Sequence, residues 1–422
     1  MSTAAAPARR AAVTPLPAPA RRQRRVALYS HDTQGLGHVR RNTLIAAALV
    51  EADPATDVLL LTGAPEAAML PLPPSTELLT LPALHKDAAG HYAPRILSTP
   101  LEELLTLRAR LIESALTSFD PDLVIVDKAA RGVGGELDPA LSALRRTGSA
   151  RMVLGLRDVL DDPEVTRHEW HGSRTVEAVR DLYDQVWVYG DPRLYDARVE
   201  YVLPPVVTDK VVFTGYVGGR RPGNLRTRYR TGDVVHPPGR PYVLCTVGGG
   251  QDGGTVARAV VDATMPPGHD GILLTGPYMP SDLRRQLLRA AERRPDLHVH
   301  EFVPDADQLV AGAAAAVAMG GYNTVCELLA AGLPTLLVPR VTPRTEQAIR
   351  AERLQRAGLV TVLAPASATP QRLSAWFRHA VTARRTPHPV AVDLGGLDRI
   401  PALADRLVDR PRAVQEVHRV AI

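Results

Sequence analysis

Short apolar runs, each stopped by glycine, proline or a carboxylate, alternate along this chain with stretches whose apolar positions return every three or four residues. The first pattern is strand-like and the second helix-like. Runs at 25–30, 57–62, 121–127, 151–156 and 185–189 predict strands, and 42–50 and 101–118 predict helices. Between 214 and 240 the periodicity dissolves into Gly, Arg, Pro and Thr. It restarts with predicted strands at 241–247, 272–275, 297–302, 314–319 and 335–338, and a helix at 256–263. Alternation of this kind predicts an α/β chain of two tandem, doubly wound, Rossmann-like domains. The expected division is a tail over 1–24, a first domain over 25–213, a linker over 214–240, a second domain over 241–388, and a C-terminal tail over 389–422 with one helix at 401–409.

Two stretches break the pattern with chemistry. In the second domain, the run at 314–319 stops at Gly320-Gly321, and Asn323 and Thr324 offer side-chain oxygens to cap the helix that follows. A helix N-terminus at a glycine turn presents free N–H groups and a positive dipole end, which suits a phosphate. The second domain also opens with glycines at 248, 249, 250, 253 and 254, around Gln251. That excess favours close backbone approach of a ligand over a simple turn. In the first domain, Gly35-Leu36-Gly37-His38 joins the first strand to the first helix, at the strand end where ligands collect in such sheets.

Composition narrows the picture. The net charge of +5 hints at nucleic acid, yet six arginines (9, 10, 21, 22, 24 and 25) precede the first acid, Asp32, and the remainder is near neutral. No nucleic-acid partner is expected, and the Ala/Pro/Arg tail reads as disordered. No stretch approaches the ~20 apolar residues of a membrane span. Cys245 and Cys326 lack any Cys or His companions, so they read as reduced core residues of a cytoplasmic protein with no metal site. Lysine occurs only at 86, 128 and 210.

Gly320-Gly321-Tyr322-Asn323-Thr324-Val325-Cys326-Glu327, then Gly332-Leu333-Pro334 and Gln347, resembles the donor-binding signature of the MurG-like GT-B glycosyltransferases, family 28. The glycine loop at 246–253 and Gly35-Leu36-Gly37-His38 are similar to that family's two glycine loops, and the likeness runs over 26 to about 365. It departs at Met319, where the family carries a basic residue, at Arg350, and at Val39-Arg40-Arg41.

The resemblance implies GT-B architecture and an inverting transfer of a hexose, N-acetylglucosamine or a relative, from a UDP-sugar to a hydroxyl acceptor. A natural product, a lipid-linked sugar or a polysaccharide would all serve as acceptor. No cofactor and no metal are expected. Glu327, one turn into its helix, would accept hydrogen bonds from ribose hydroxyls, or else be a solvated helix-start acid. Glu346 and Gln347 would read sugar hydroxyls, or else cap their helix. Gly248, Gly249, Gly250, Gln251, Gly320 and Gly321 would approach the diphosphate, and Phe302-Val303 would meet the base or be plain core. The reaction needs a group to take the acceptor proton. His38 is the preferred one, with Asp127 and Asp158 as rivals and His31 and Asp32 behind them. A nucleotide-sugar hydrolase or 2-epimerase, and a non-catalytic binder, are the alternatives.

Overall fold

The structure is a computed structural model that describes residues 23–31, 35–86, 91–218, 222–225, 239–303, 306–383 and 392–410. Asp32 and most of the expected tail and linker lie outside the described residues. In the first half the strands are β1 (Arg24–Ser30), β2 (Thr56–Thr62), β3 (Thr76–Thr80), β4 (Leu84–Lys86), β5 (Tyr92–Pro94), β6 (Leu123–Asp127), β7 (Arg151–Arg157), β8 (Gln185–Tyr189) and β9 (Val211–Phe213). Seven of them form one parallel sheet in the order β3-β2-β1-β6-β7-β8-β9, while β4 and β5 make a separate antiparallel pair. In the second half, β10 (Tyr242–Thr246), β11 (Asp270–Leu274), β12 (Leu297–His300), β13 (Ala315–Ala318), β14 (Thr335–Leu337) and β15 (Thr361–Val362) form a parallel sheet in the order β12-β11-β10-β13-β14-β15. Central strands such as Leu-Val-Ile-Val-Asp in β6 are buried throughout, as expected of a sheet covered by helices on both faces.

Register decides what meets at the sheet ends. Ser30 aligns with Thr62 on one side and Asp127 on the other, and Asp127 aligns with Gly155. His31, Lys128 and the segment after β7 therefore leave the first sheet side by side. In the second sheet Thr246 aligns with Ala318, and Ala318 with Leu337. The glycine loop after β10 and the glycine turn after β13 are thereby neighbours at the strand-order reversal, the place where open α/β sheets bind ligands.

Three expectations need correction. The first helix is Gly37–Ala52, so Gly37 and His38 lie in its first turn and not in a loop before it. The helix after the glycine turn, Tyr322–Ala331, has Gly321 as N-cap with no side-chain cap. Asn323 and Thr324 lie inside it, and Asn323 Nδ2 instead donates to the Gly37 carbonyl at 2.9 Å. The edge strands β3, β9 and β15 escape the apolar pattern because they are short or half exposed. The tail helix, Gly396–Val408, returns to the first half and packs on Gly37–Ala52, where Arg24 pairs with Asp405.

Candidate functional site

The first-half wall starts on one face of the first helix. His38 and Arg41 stand three residues apart, so both side chains reach the end of β6. Arg41 is buried, and its Nη2 donates to both oxygens of the fully buried Asp127, at 2.7 Å to Oδ1. The guanidinium also lies over the rings of Tyr189 and Tyr322, 5.5 and 5.2 Å from their centroids. Burial by itself would raise the Asp127 carboxyl, but Arg41 and His38 outweigh it and hold the group well below the usual carboxylate range. His38 Nδ1 sits 3.4 Å from Asp127 Oδ1 and 3.1 Å from Arg41 Nη2, with a fifth of its side chain exposed. Asp127, permanently ionised beneath the ring, is an orienting carboxylate and a poor base. The imidazole is the group that remains open to a ligand.

Asp158 is a correction. Both of its oxygens are taken by Arg350 from the second half, with Nε at 2.9 and 3.1 Å and Nη2 at 2.6 Å, and Tyr216 donates to it at 3.1 Å. Each side chain of the Asp158–Arg350 pair is 1% exposed. Asp158 is a clasp between the halves, without a free lone pair facing the cleft.

The second-half wall is built on glycine. At Gly320, φ is +86°, and Gln347 Cβ stands 3.7 Å from where a side chain would begin. This brings Gln347 against the turn, as the signature requires. Gln347 Oε1 accepts from the Arg340 N–H at 3.1 Å. Arg340 Nη1 reaches Asp252 of the glycine loop at 2.7 Å, and Nη2 reaches Glu346 at 2.5 Å. Glu346 is buried, which would raise it, but Arg157, Arg340 and Arg350 outweigh burial and lower it; its Oε2 has no hydrogen-bond partner. The loop glycines divide into two kinds. A Cβ at Gly250 would stand 2.2 Å from the Thr275 carbonyl, and one at Gly253 2.3 Å from Val247 Cβ, so these two serve packing within the protein. Gly248 has φ +62° with nothing within 4 Å, and Gly249 meets only Tyr278, at 3.4 Å. They line open space, with Gln251 exposed beyond them.

Glu327 faces the first half. Arg40 Nη2 pairs with its Oε1 at 2.7 Å. Beside this pair opens a cavity of about 250 Å³ between the halves, walled by Leu44, Leu70, Val310, Ala311 and Ala331, with Asp307 at its edge. Phe302 packs with Val39, Ala67 and Leu70 of the first half, next to that cavity, and Val303 joins the larger core. Gly35 has φ +88° in the turn before the first helix. Met319 is buried in the apolar core with Val247 and Val317. The positions where the family likeness lapses thus include three arginines that tie one half to the other half or to its own sheet end: Arg40 to Glu327, Arg41 to Asp127, Arg350 to Asp158. Arg340 carried no sequence signal, since arginine is common throughout this chain.

Lys128 completes the strand-end row. Its φ of +67° places a non-glycine residue in the left-handed region, at a cost of about 1 kcal/mol. No helix among the described residues is long and apolar enough to cross a membrane. Cys245 and Cys326 are free and buried, and burial pushes the Cys245 thiol up to about 12.

Residues 255–392 match the glycosyltransferase family 28 C-terminal domain. A stretch of 184 residues is 28% identical to the UDP-N-acetylglucosamine–N-acetylmuramyl-(pentapeptide) pyrophosphoryl-undecaprenol N-acetylglucosamine transferase of an Exiguobacterium species, covering 43% of this chain and 49% of that protein. The match thus spans about half the length of that relative. Among solved structures, the MurG of Acinetobacter baumannii superposes with a TM-score of 0.53 at 15% identity, covering 91% of this chain and 99% of its own. The calicheamicin glycosyltransferase CalG4 gives 0.53 at 18% (92% and 94%), and a putative UDP-N-acetylglucosamine 2-epimerase from Listeria monocytogenes gives 0.58 at 13% (92% and 98%). With two parallel-sheet halves of GT-B architecture and a match to the family 28 C-terminal domain over 255–392, this chain resembles the MurG-like glycosyltransferases.

Proposed function

We propose that the protein transfers a hexose, N-acetylglucosamine or a relative, from a UDP-sugar to a hydroxyl acceptor with inversion, in the cytoplasm. One observation carries the reading. His38, backed by ionised Asp127, stands in the helix turn whose neighbours Gly37 and Arg40 meet Asn323 and Glu327 of the second half. In this arrangement the nucleoside occupies the cavity beside Glu327, whose carboxylate exchanges Arg40 for the ribose hydroxyls. The diphosphate lies against the first turn of Tyr322–Ala331 and the open backbone of Gly248 and Gly249. Gln347 and Glu346 face the sugar. When Nδ1 exchanges the Arg41 N–H at 3.1 Å for a proton shared with Asp127, 3.4 Å away, His38 Nε2 takes the acceptor proton as the acceptor oxygen bonds to the anomeric carbon and the bond to the diphosphate breaks. The departing negative charge is met by backbone N–H groups and the helix dipole, so the reaction has no need of a divalent cation.

The test is incubation with a panel of nucleotide sugars, with and without hydroxyl acceptors, in the presence of a chelator. Acceptor-dependent UDP release, with sugar recovered on the acceptor, is expected. Equal UDP release without acceptor would replace transfer by hydrolysis or epimerisation, and UDP-sugar binding without any turnover would leave a binding protein.

A further inference from the structure

Lys128 is the cation of the cleft that none of these roles uses. It follows Asp127 directly, and its left-handed turn is held from both sides: its N–H donates to the Gly155 carbonyl at 2.8 Å, and the Ala129 N–H to the Asp127 carbonyl at 2.8 Å. A disfavoured conformation sustained by its surroundings at a ligand-facing strand end is characteristic of a functional position. Charged groups face the amine from every side: Arg157 at the end of β7, Arg344 from the second half, Lys86 on the β4–β5 pair, His31 after β1, and one carboxylate, Glu169.

Glu169 is engaged by Arg344, which also holds Asp161. Arg157 donates to the Leu160 carbonyl at 2.9 Å and stands 3.7 Å from Glu346, while its Nε is buried without an acceptor. Among the described residues, Lys128 Nζ has no hydrogen-bond or ion-pair partner. The carboxylates nearby, Glu169, Asp161 and Glu346, thus lie against Arg344 and Arg157, and the amine is left beside them in a half-buried pocket, where screening is weak. Burial, then Arg157 and Arg344, push the amine down to about 7. Glu169 offsets only part of this, and an incoming anion would relieve the rest.

We propose that Lys128, with the unpaired Nε of Arg157 beside it, forms a subsite for an oxyanion, phosphate or carboxylate, carried by the sugar acceptor. The word acceptor rests on the transferase reading; the oxyanion site does not. Its place at the first-sheet strand ends separates it from the diphosphate position on the second-half glycine turn. Because an oxyanion restores the charged amine, binding takes up a fraction of a proton around neutral pH and above. Oxyanion affinity is then flat below pH 7 and falls about tenfold per unit above it, until the bound-state value is reached.

With only three lysines in the chain, ¹³C reductive methylation gives a short list of dimethyl-lysine NMR signals, and Lys128→Arg identifies the one that matters. The protein is held with saturating UDP, whose binding is measured separately, and titrated with inorganic phosphate in one arm and acetate in the other. The Lys128 signal is expected to titrate near pH 7 and to move upward by a unit or more with one or both anions, while Lys210 stays in place. A Lys128 signal that titrates like an exposed lysine, or ignores both anions at millimolar concentration, would overturn the site. A shift produced by UDP alone would also overturn it, because Lys128 would then serve the donor. A response to phosphate in a protein that fails to bind UDP would uphold the oxyanion site and remove the transferase reading.

Discussion

The pair between Asp158 and Arg350 is buried between the two halves, and breaking it has a calculable consequence. The guanidinium gives Nε and Nη2 to the carboxylate, Nη1 to the Gly320 carbonyl at 3.0 Å and Nη2 also to the Val159 carbonyl at 3.3 Å. Asp158→Ala leaves a buried cation facing two carbonyls, and Arg350→Met leaves a buried carboxylate facing one tyrosine hydroxyl. Removing one partner of such a pair costs about 3–5 kcal/mol, because the survivor stays desolvated. In domains of this size, about 2–4 °C of Tm follow each kcal/mol, so either single change lowers Tm by on the order of 10 °C. Removing both partners should cost no more than either single change, giving a coupling energy of at least about 3 kcal/mol in the double-mutant cycle. Trp187 on β8 of the first half and Trp376 in the second half report from either side of the clasp in urea titrations of single-tryptophan backgrounds. Coincident midpoints are expected for the parent and separated ones for Asp158→Ala. A coupling energy near zero, or a Tm unchanged by both single substitutions, would refute a buried clasp.

Other outcomes follow from single residues. Asp127→Asn removes the carboxylate that orients His38, so turnover should fall about 10²-fold or more with UDP affinity retained, read by kinetics and calorimetry. Asp127 also shapes the acid limb. Its folded pKa lies below the ~3.9 of the unfolded chain, so its stabilisation is complete above that value and is lost as pH falls toward the folded one. Asp127→Asn should flatten that loss in pH-dependent melting. Lys128 has the opposite sense. With about 7 in the fold and ~10.4 unfolded, its destabilisation is full below pH 7 and relieved as pH rises to 10, so Lys128→Met should raise Tm most at pH 6 and least at pH 10. In the glycine loop, Gly250→Ala collides with the Thr275 carbonyl and should unfold the loop. Gly248→Ala meets nothing within 4 Å, costs only about 1 kcal/mol for its positive φ, and should weaken UDP binding selectively.

What the sequence disclosed was governed by periodicity and glycine. Buried strands such as β6 and β13 are continuous apolar runs, and the turn after β13 announces itself because few residues besides glycine adopt φ +86°. From these, two Rossmann-like sheets and the approach of Gln347 to the glycine turn were legible. The edge strand β15, two residues long, carries no pattern to find. Residue type gave no hint that Asp158 is spent on Arg350, since a carboxylate after a strand looks the same whether it faces a cleft or a guanidinium 192 positions away. The side chain of Asn323 was misread as a cap for a related reason: the carbonyl of Gly37, on another domain, competes for its amide. Lys128 stood out in composition only as one of three lysines, and its backbone conformation is what gives it meaning.

The donor site is tested most directly by calorimetric titration of UDP into the parent protein and into Glu327→Ala, in parallel. Because Glu327 is held here to bind the ribose hydroxyls, the parent should bind UDP at a single site and Glu327→Ala at least about tenfold more weakly, a difference of ~1.4 kcal/mol. Equal affinity in the two proteins, or no UDP binding by the parent, would contradict the assignment of the cleft as a UDP-sugar site.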